Sequence, residues 1–285
     1  MTSVRVIESP GRCRLGEGPL WSVREQALYW VDILGQAAYR FRAADGQVTR
    51  WPMPEMICWL IERVHGPGFV AGLTRDVVLL TFEPLGITPL VRPEPQLADQ
   101  RLNDAKADAA GRVWCGTMPI DAERETGALY RLDPDGALSL RDHGYRITNG
   151  PAFSPDGHHL YHTDSMRGVV FRFTMRADGS IAERQPFIRF APGTGLPDGM
   201  TVDAEGGLWV AVWGGARVCR YAPDGRLDRS IALPASQITS CAFGGPNLDR
   251  LYVTSAAEGV DEPHAGALFE VDAEAVGLPA HRFAG

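Results

Sequence analysis

Glu17, Asn103, Asn149 and Asp198 each stand a nearly fixed distance before an aromatic residue in an apolar run: Glu17 precedes Tyr29 by 12, Asn103 precedes Trp114 by 11, Asn149 precedes Tyr161 by 12 and Asp198 precedes Trp209 by 11. Equivalent positions of repeats closed into a ring face one central point, so these four oxygen-bearing side chains would converge. Two carboxylates and amide oxygens gathered away from water repel one another unless a cation sits among them. An all-oxygen set of this kind suits calcium, magnesium or manganese better than a structural zinc, which draws on Cys and His, although zinc or ferrous iron fits an open site. The two remaining repeats carry Cys58 and Ser240 near the same phase, both small and neutral.

Three of the positions lie in related motifs, Gly16-Glu17-Gly18-Pro19, Thr148-Asn149-Gly150-Pro151 and Pro197-Asp198-Gly199-Met200. Each places a polar residue directly before a glycine, whose backbone freedom lets the chain aim the side chain at the axis. A hairpin turn is the simpler reading of Asp198-Gly199, but the pair falls outside the turn phases of the repeat and aligns with Glu17 and Asn149. His158, His159 and His162 form the other cluster of metal-ligating type. On a strand, however, residues four apart stand about 13 Å from each other, which argues against a shared ligand set.

The elements that must position these residues recur evenly. Strand cores Leu28-Tyr29-Trp30, Gly68-Phe69-Val70, Val113-Trp114, Leu160-Tyr161, Leu208-Trp209 and Leu251-Tyr252 give aromatic anchors separated by 40, 45, 47, 48 and 43 residues. A strand-rich unit of roughly 40 to 50 residues is the signature of a propeller blade. The fourth repeat is the clearest, with an inner strand at Gly150–Phe153, a second at His159–Thr163, a third at Gly168–Met175 and an outer strand near Ala182–Phe187. Asp-Gly pairs (45–46, 135–136, 156–157, 178–179, 224–225) read as hairpin turns in which both positions reach positive φ. The expected fold is all-β, a six-bladed β-propeller with four antiparallel strands per blade, one domain over residues 1–285. An N-terminal strand at Val4–Glu8 would complete the last blade and close the ring, with His281–Ala284 nearby.

Composition narrows the function. A formal net charge of −7 with no basic run argues against nucleic acid or anionic lipid as partner. No run of 18 apolar residues exists and Met1–Pro10 lacks a basic start followed by an apolar run, so the reading is no membrane span, no signal peptide and a cytoplasmic location. Five cysteines without a C-x-x-C pair read as free thiols in a reducing compartment.

At this point the motifs match a known family. Leu15-Gly16-Glu17-Gly18-Pro19-Leu20-Trp21, Arg101-Leu102-Asn103-Asp104-Ala105-Lys106, Gly116-Thr117-Met118, Thr148-Asn149-Gly150-Pro151, Leu196-Pro197-Asp198-Gly199-Met200 and Cys241-Ala242-Phe243-Gly244-Gly245 lie along essentially the whole chain. Together they resemble the SMP-30/gluconolactonase family, which includes regucalcin and bacterial sugar lactonases such as gluconolactonase and xylonolactonase. The resemblance implies a six-bladed propeller with one axial divalent cation, calcium first among the candidates, held by Glu17, Asn149 and Asp198. It further implies substrate contacts from Arg101 and Asn103, with Asn103 just outside the metal ligands, and an acidic contact to sugar hydroxyls that falls nearest Asp121. The loop 119–126 departs from the regucalcin pattern in length and composition.

The implied reaction is hydrolysis of a sugar lactone, a small-molecule ester whose carbonyl oxygen gains charge as water adds. Asp198 is the expected catalytic residue, as general base. A carboxylate coordinated to a dication is a poor base, so a metal-bound hydroxide competes with Asp198 for the first step. No Gly-x-Ser-x-Gly elbow occurs, which leaves a serine esterase without support. Two alternatives remain: an esterase or phosphotriesterase using the same site, and a non-enzymatic calcium-binding propeller platform. The latter has no need for converging axial oxygens. Neither the particular sugar nor the oligomeric state is legible in the sequence.

Overall fold

The computed structural model describes residues 3–285, and among them every regular element is a β-strand. Six four-stranded antiparallel sheets stand around an axis. The inner strands are Gly16–Ser22, Ile57–Glu62, Gln100–Ala107, Thr148–Phe153, Leu196–Val202 and Ile238–Gly244, for blades 1 to 6, and each packs on the next around a closed ring. The six aromatic anchors all lie in second strands: Ala27–Asp32, Phe69–Leu73, Val113–Pro119, His159–Asp164, Leu208–Trp213 and Arg250–Ser255.

Neighbouring blades cover both faces of these strands, so Ala27–Asp32 is buried at every residue, whereas the outer strand Leu138–Tyr145 is half-buried along most of its length and fully buried only at Tyr145. Trp114 and Trp209 are fully buried, and each finds a partner for its indole N–H in a hairpin aspartate of its own blade. Asp108 accepts from Trp114 at 2.8 Å and pairs with Arg112 at 2.7 Å; Asp203 accepts from Trp209 at 2.8 Å and pairs with Arg220 at 2.7 Å. A buried indole without such a partner would forfeit roughly 1–3 kcal/mol, which makes these clamps part of the core.

The Asp-Gly turns form, but only the glycine of each pair enters the left-handed region, with Gly46 at 71° and Gly136 at 87°. The loops are longer than two-residue hairpins: Arg42 N donates to Gln47 O and Gly46 N to Arg42 O. The aspartate therefore keeps ordinary backbone angles and uses its carboxylate to accept from the residue after the glycine, as Asp45 does from Gln47 N at 3.1 Å.

Val4–Ile7 closes the ring as the outer strand of blade 6, pairing antiparallel with Leu268–Val271. The C-terminal residues do not lie alongside it. From Gly277, whose N–H reaches Leu248 O of blade 6, the chain crosses beneath the axis to blades 2 and 3. There Phe283 exchanges backbone bonds with Glu62 and Val64, and Ala284 N donates to Gly111 O. Phe283 is 3% exposed and belongs to the core cluster of blades 2 and 3, which anchors the crossing.

Candidate active site

The inner strands begin at one end of the axis, here called the upper mouth, and the four oxygen-bearing residues lie in their first halves. Each occupies the position three residues before the cross-strand partner of the aromatic anchor: Glu17 before Leu20, Asn103 before Lys106, Asn149 before Ala152 and Asp198 before Thr201. The 11- and 12-residue spacings thus mark one structural position, differing only in hairpin length. In blades 2 and 6 the same count lands on Trp59 and Thr239, one residue from Cys58 and Ser240.

At that position the pairing register breaks in all six inner strands, between Glu17 and Leu20, Ile57 and Trp59, Leu102 and Ala105, Asn149 and Ala152, Pro197 and Met200, and Ile238 and Ser240. A bulge releases residues from the ladder and re-aims their side chains, which is how a strand otherwise committed to packing presents polar groups to the axis. Gly18 (φ 54°) and Gly150 (φ 76°) supply the left-handed backbone. Gly199 serves space instead, since a Cβ there would lie 2.2 Å from Ser240 Oγ.

Glu17, Asn103, Asn149 and Asp198 are all buried. Arg101 Nη1 donates to Leu102 O at 2.9 Å and to Asn103 Oδ1 at 2.7 Å. Asn103 Nδ2 in turn donates to Thr148 O at 2.6 Å and Asn149 Oδ1 at 3.1 Å, and Asn149 Nδ2 donates to Ser165 Oγ at 2.9 Å. This relay fixes both amides and leaves Asn103 one step behind Asn149. Burial pushes the Glu17 carboxyl up to about 8, and the Asp104 carboxylate adds to the shift. Asp198 is raised well above the carboxylate range, by burial first and then by Glu17 and Asp104. Without a counter-cation these groups favour their protonated forms; with one they become strong ligands.

Among the described residues no group of three His, Cys, Asp or Glu side chains is arranged to hold a metal ion. Glu17 and Asp198 with the Asn149 amide oxygen instead supply a mixed, all-oxygen donor set, which fits a hard divalent cation. The histidines do not form a rival set. His158 is exposed in a turn, whereas His162 is fully buried edge-on to Tyr145 with neither ring nitrogen partnered, and burial lowers its pKa to about 3.

Asp121 lies just past the second strand of blade 3, on the upper rim. Its carboxylate accepts from Glu123 N at 3.0 Å and faces Arg124 at 3.5 Å, so no hydrogen bond or ion pair joins it to the axial cluster. Asp104, which the spacing did not single out, is buried at the axis and ties blade 3 to blade 4 by accepting from Ala105 N at 2.7 Å and Gly150 N at 2.9 Å. Its place directly after Asn103 in a bulged strand was the available signal. Burial raises the pKa of Asp104, and Lys106, the one lysine among 28 basic residues, opposes that rise from its own place at the axis. A crevice beside Arg101 holds Glu94 and Gln100, each with a buried side-chain oxygen lacking a partner.

Comparison with known proteins gives the family of the chain. Residues 15–257 match the family model described as SMP-30/Gluconolactonase/LRE-like region. The chain is 39% identical to L-arabinolactonase of Azospirillum brasilense over 96% of its length and 93% of the relative's. It is 38% identical to a pentonolactonase of Haloferax volcanii over 99% and 98%. A solved structure of regucalcin from Agrobacterium tumefaciens, a calcium-binding protein, superposes with a TM-score of 0.93 at 30% identity and covers 98% of this chain and 97% of that one. With a family model matching residues 15–257 and relatives 38–39% identical over nearly the whole chain, the chain belongs to the SMP-30/gluconolactonase/LRE-like family.

Proposed function

We propose that the upper mouth is the active site of a lactonase that hydrolyses a sugar lactone to its aldonic acid with the help of one divalent cation. The observation that carries this reading is the convergence of two buried, mutually repelling carboxylates with an amide oxygen held in place by the Arg101–Asn103–Asn149 relay. The lactonase names of the two bacterial and archaeal relatives support the substrate class. Glu17, Asn149 and Asp198 would hold the cation, and calcium is the first candidate because every donor is a hard oxygen and the regucalcin neighbour is a calcium-binding protein.

When bound, the cation supplies charge stabilisation to the carbonyl oxygen of the lactone. Arg101 and Asn103 would orient the lactone ring, and Asp121 would meet sugar hydroxyls at the rim. Asp198 accepts the proton of the attacking water. It returns that proton to the ring oxygen as the acyl C–O bond breaks, so hydrolysis leaves the carboxyl unchanged. The five buried free cysteines support a reducing, cytoplasmic setting, and no helix of the described residues is long and apolar enough to cross a membrane.

The test is acid release from a panel of five- and six-carbon aldonolactones, simple esters and phosphotriesters, run on stripped protein and after adding back calcium, magnesium, manganese or zinc. The reading expects lactones to be preferred, with turnover lost on stripping and restored by a cation. Activity that persists after elemental analysis shows complete metal removal sinks the cation's role. Inactivity on every lactone with every cation sinks the lactonase.

A further inference from the structure

Asn149 differs in kind from the two acids beside it. A carboxylate offers oxygen at either end, whereas a carboxamide offers oxygen at one end and an NH2 donor at the other, and turning it over swaps them with almost no change of shape. The end that Asn149 presents is fixed by a chain of hydrogen bonds that cannot run backwards. Arg101 Nη1 can only donate and Thr148 O can only accept, so Asn103 must turn Oδ1 to the first, at 2.7 Å, and Nδ2 to the second, at 2.6 Å. Asn103 Nδ2 also donates to Asn149 Oδ1 at 3.1 Å, which leaves Asn149 Nδ2 to donate to Ser165 Oγ at 2.9 Å. Both Asn149 and Ser165 are buried. Ser165 is itself held in its turn, with its N–H on Ile147 O at 3.0 Å and its carbonyl accepting from Gly168 N at 2.9 Å.

Ser165 follows the aromatic anchor Tyr161 by 4 residues, and the residues 4 after Tyr29 and Trp209 are Ile33 and Trp213. Among the described residues neither of these side chains hydrogen-bonds the acid of its blade; Glu17 accepts from Gly18 N at 2.9 Å instead. The hydroxyl thus stands in the one blade of the three whose candidate ligand has a direction to keep. We infer that Ser165 is a positioning residue for the cation, anchoring the amide nitrogen of Asn149 so that its oxygen stays presented. The inference rests on the reading of Asn149 as a cation ligand. Without Ser165 Oγ, the Asn149 NH2 group is a buried donor that has lost its acceptor. The amide relieves that cost by rotating, and rotation puts a donor where a cation needs an oxygen.

The test is calorimetric titration of calcium, and of manganese in parallel, into the stripped full-length protein. Ser165→Ala is expected to raise the Kd about tenfold or more. A serine with a purely structural role would lower the melting temperature of the stripped protein and leave the Kd where it was. Asn149→Asp replaces the amide by a carboxylate, which has no direction to lose, and in that background Ser165→Ala is expected to change the Kd by no more than about threefold. Ser165→Cys, close in size and a weak acceptor, takes the place of Ser165→Ala should the alanine variant fail to fold, and if Asn149→Asp does not fold the single variant decides alone. A Kd unchanged by Ser165→Ala, or raised equally in both backgrounds, overturns the inference and leaves the cation reading standing. Wild type that binds neither cation removes both.

Discussion

At the upper mouth Glu17, Asn149 and Asp198 lie only a few residues before Leu20, Ala152 and Thr201, which border a cavity at the lower mouth. In blades 1, 3, 4 and 5 the first half of the inner strand carries buried acids and amides held by hydrogen bonds, whereas the second halves of all six line that cavity, which is of mixed polar and apolar character and in which Lys106 supplies the one ammonium. The bulge between them explains the contrast. Above it the strand leaves the ladder and its polar groups face the axis; below it regular pairing resumes and the side chains pack. A buried charge cluster is a cost the fold tolerates where function needs it, whereas an apolar wall contributes to stability, so changes at the two ends should trade activity against stability differently.

The largest effect is expected from Asp198→Asn, which removes one of the repelling carboxylates with little change in shape. Lactone turnover should fall by about 10³-fold or more, with weaker cation binding. The metal-free variant should melt at or above the wild-type temperature, because burial and Glu17 both disfavour the charge it removes. A variant that loses activity by unfolding would break the comparison, and calorimetry of the stripped protein distinguishes the two outcomes.

Asn103→Ala should retain the cation and lower kcat by about 10- to 100-fold, since it cuts the relay that orients Asn149. Loss of metal from this variant, read by elemental analysis, would show Asn103 to be a ligand instead. Next in size is a pH effect confined to the stripped protein. The Glu17 carboxyl titrates near 4.5 when unfolded and near 8 in the fold, so across that interval the folded state holds a proton that the unfolded chain has released. This stabilisation is complete below about pH 4.5 and is lost as the pH rises through about 8, with Asp198 acting in the same direction. The melting temperature of the stripped protein should therefore fall over this interval, Glu17→Gln should flatten the slope, and saturating calcium should do the same. A slope that is equal with and without calcium would detach the acids from the cation.

Asp121→Ala should have the smallest effect, about two- to fivefold in KM with kcat little changed, because its exposed carboxylate already faces Arg124 and is screened by solvent. A loss of kcat comparable to that of Asn103→Ala would place Asp121 in the site after substrate binds.

Much of this molecule follows from local pattern. The aromatic anchors recur because each blade must bury the same position against its neighbour, so the blade count, the second strands and the phase of Glu17, Asn103, Asn149 and Asp198 can all be read along the chain. Even the difference between 11 and 12 is legible afterwards as hairpin length. The Asp-Gly turns were visible too, although only the glycine takes the left-handed conformation, because the loop around it is longer than the two-residue form. What one-dimensional spacing does not carry is contact between distant segments. Tertiary packing alone brings Asp104 against Gly150, sets Asn103 between Arg101 and Asn149, leaves Asp121 on the rim and draws the C-terminus beneath the axis to blades 2 and 3. It also decides that Lys106, one position among 285, stands at the axis and opposes the rise in the pKa of Asp104, because burial and the distances between charges are fixed only when all six blades close on the same axis.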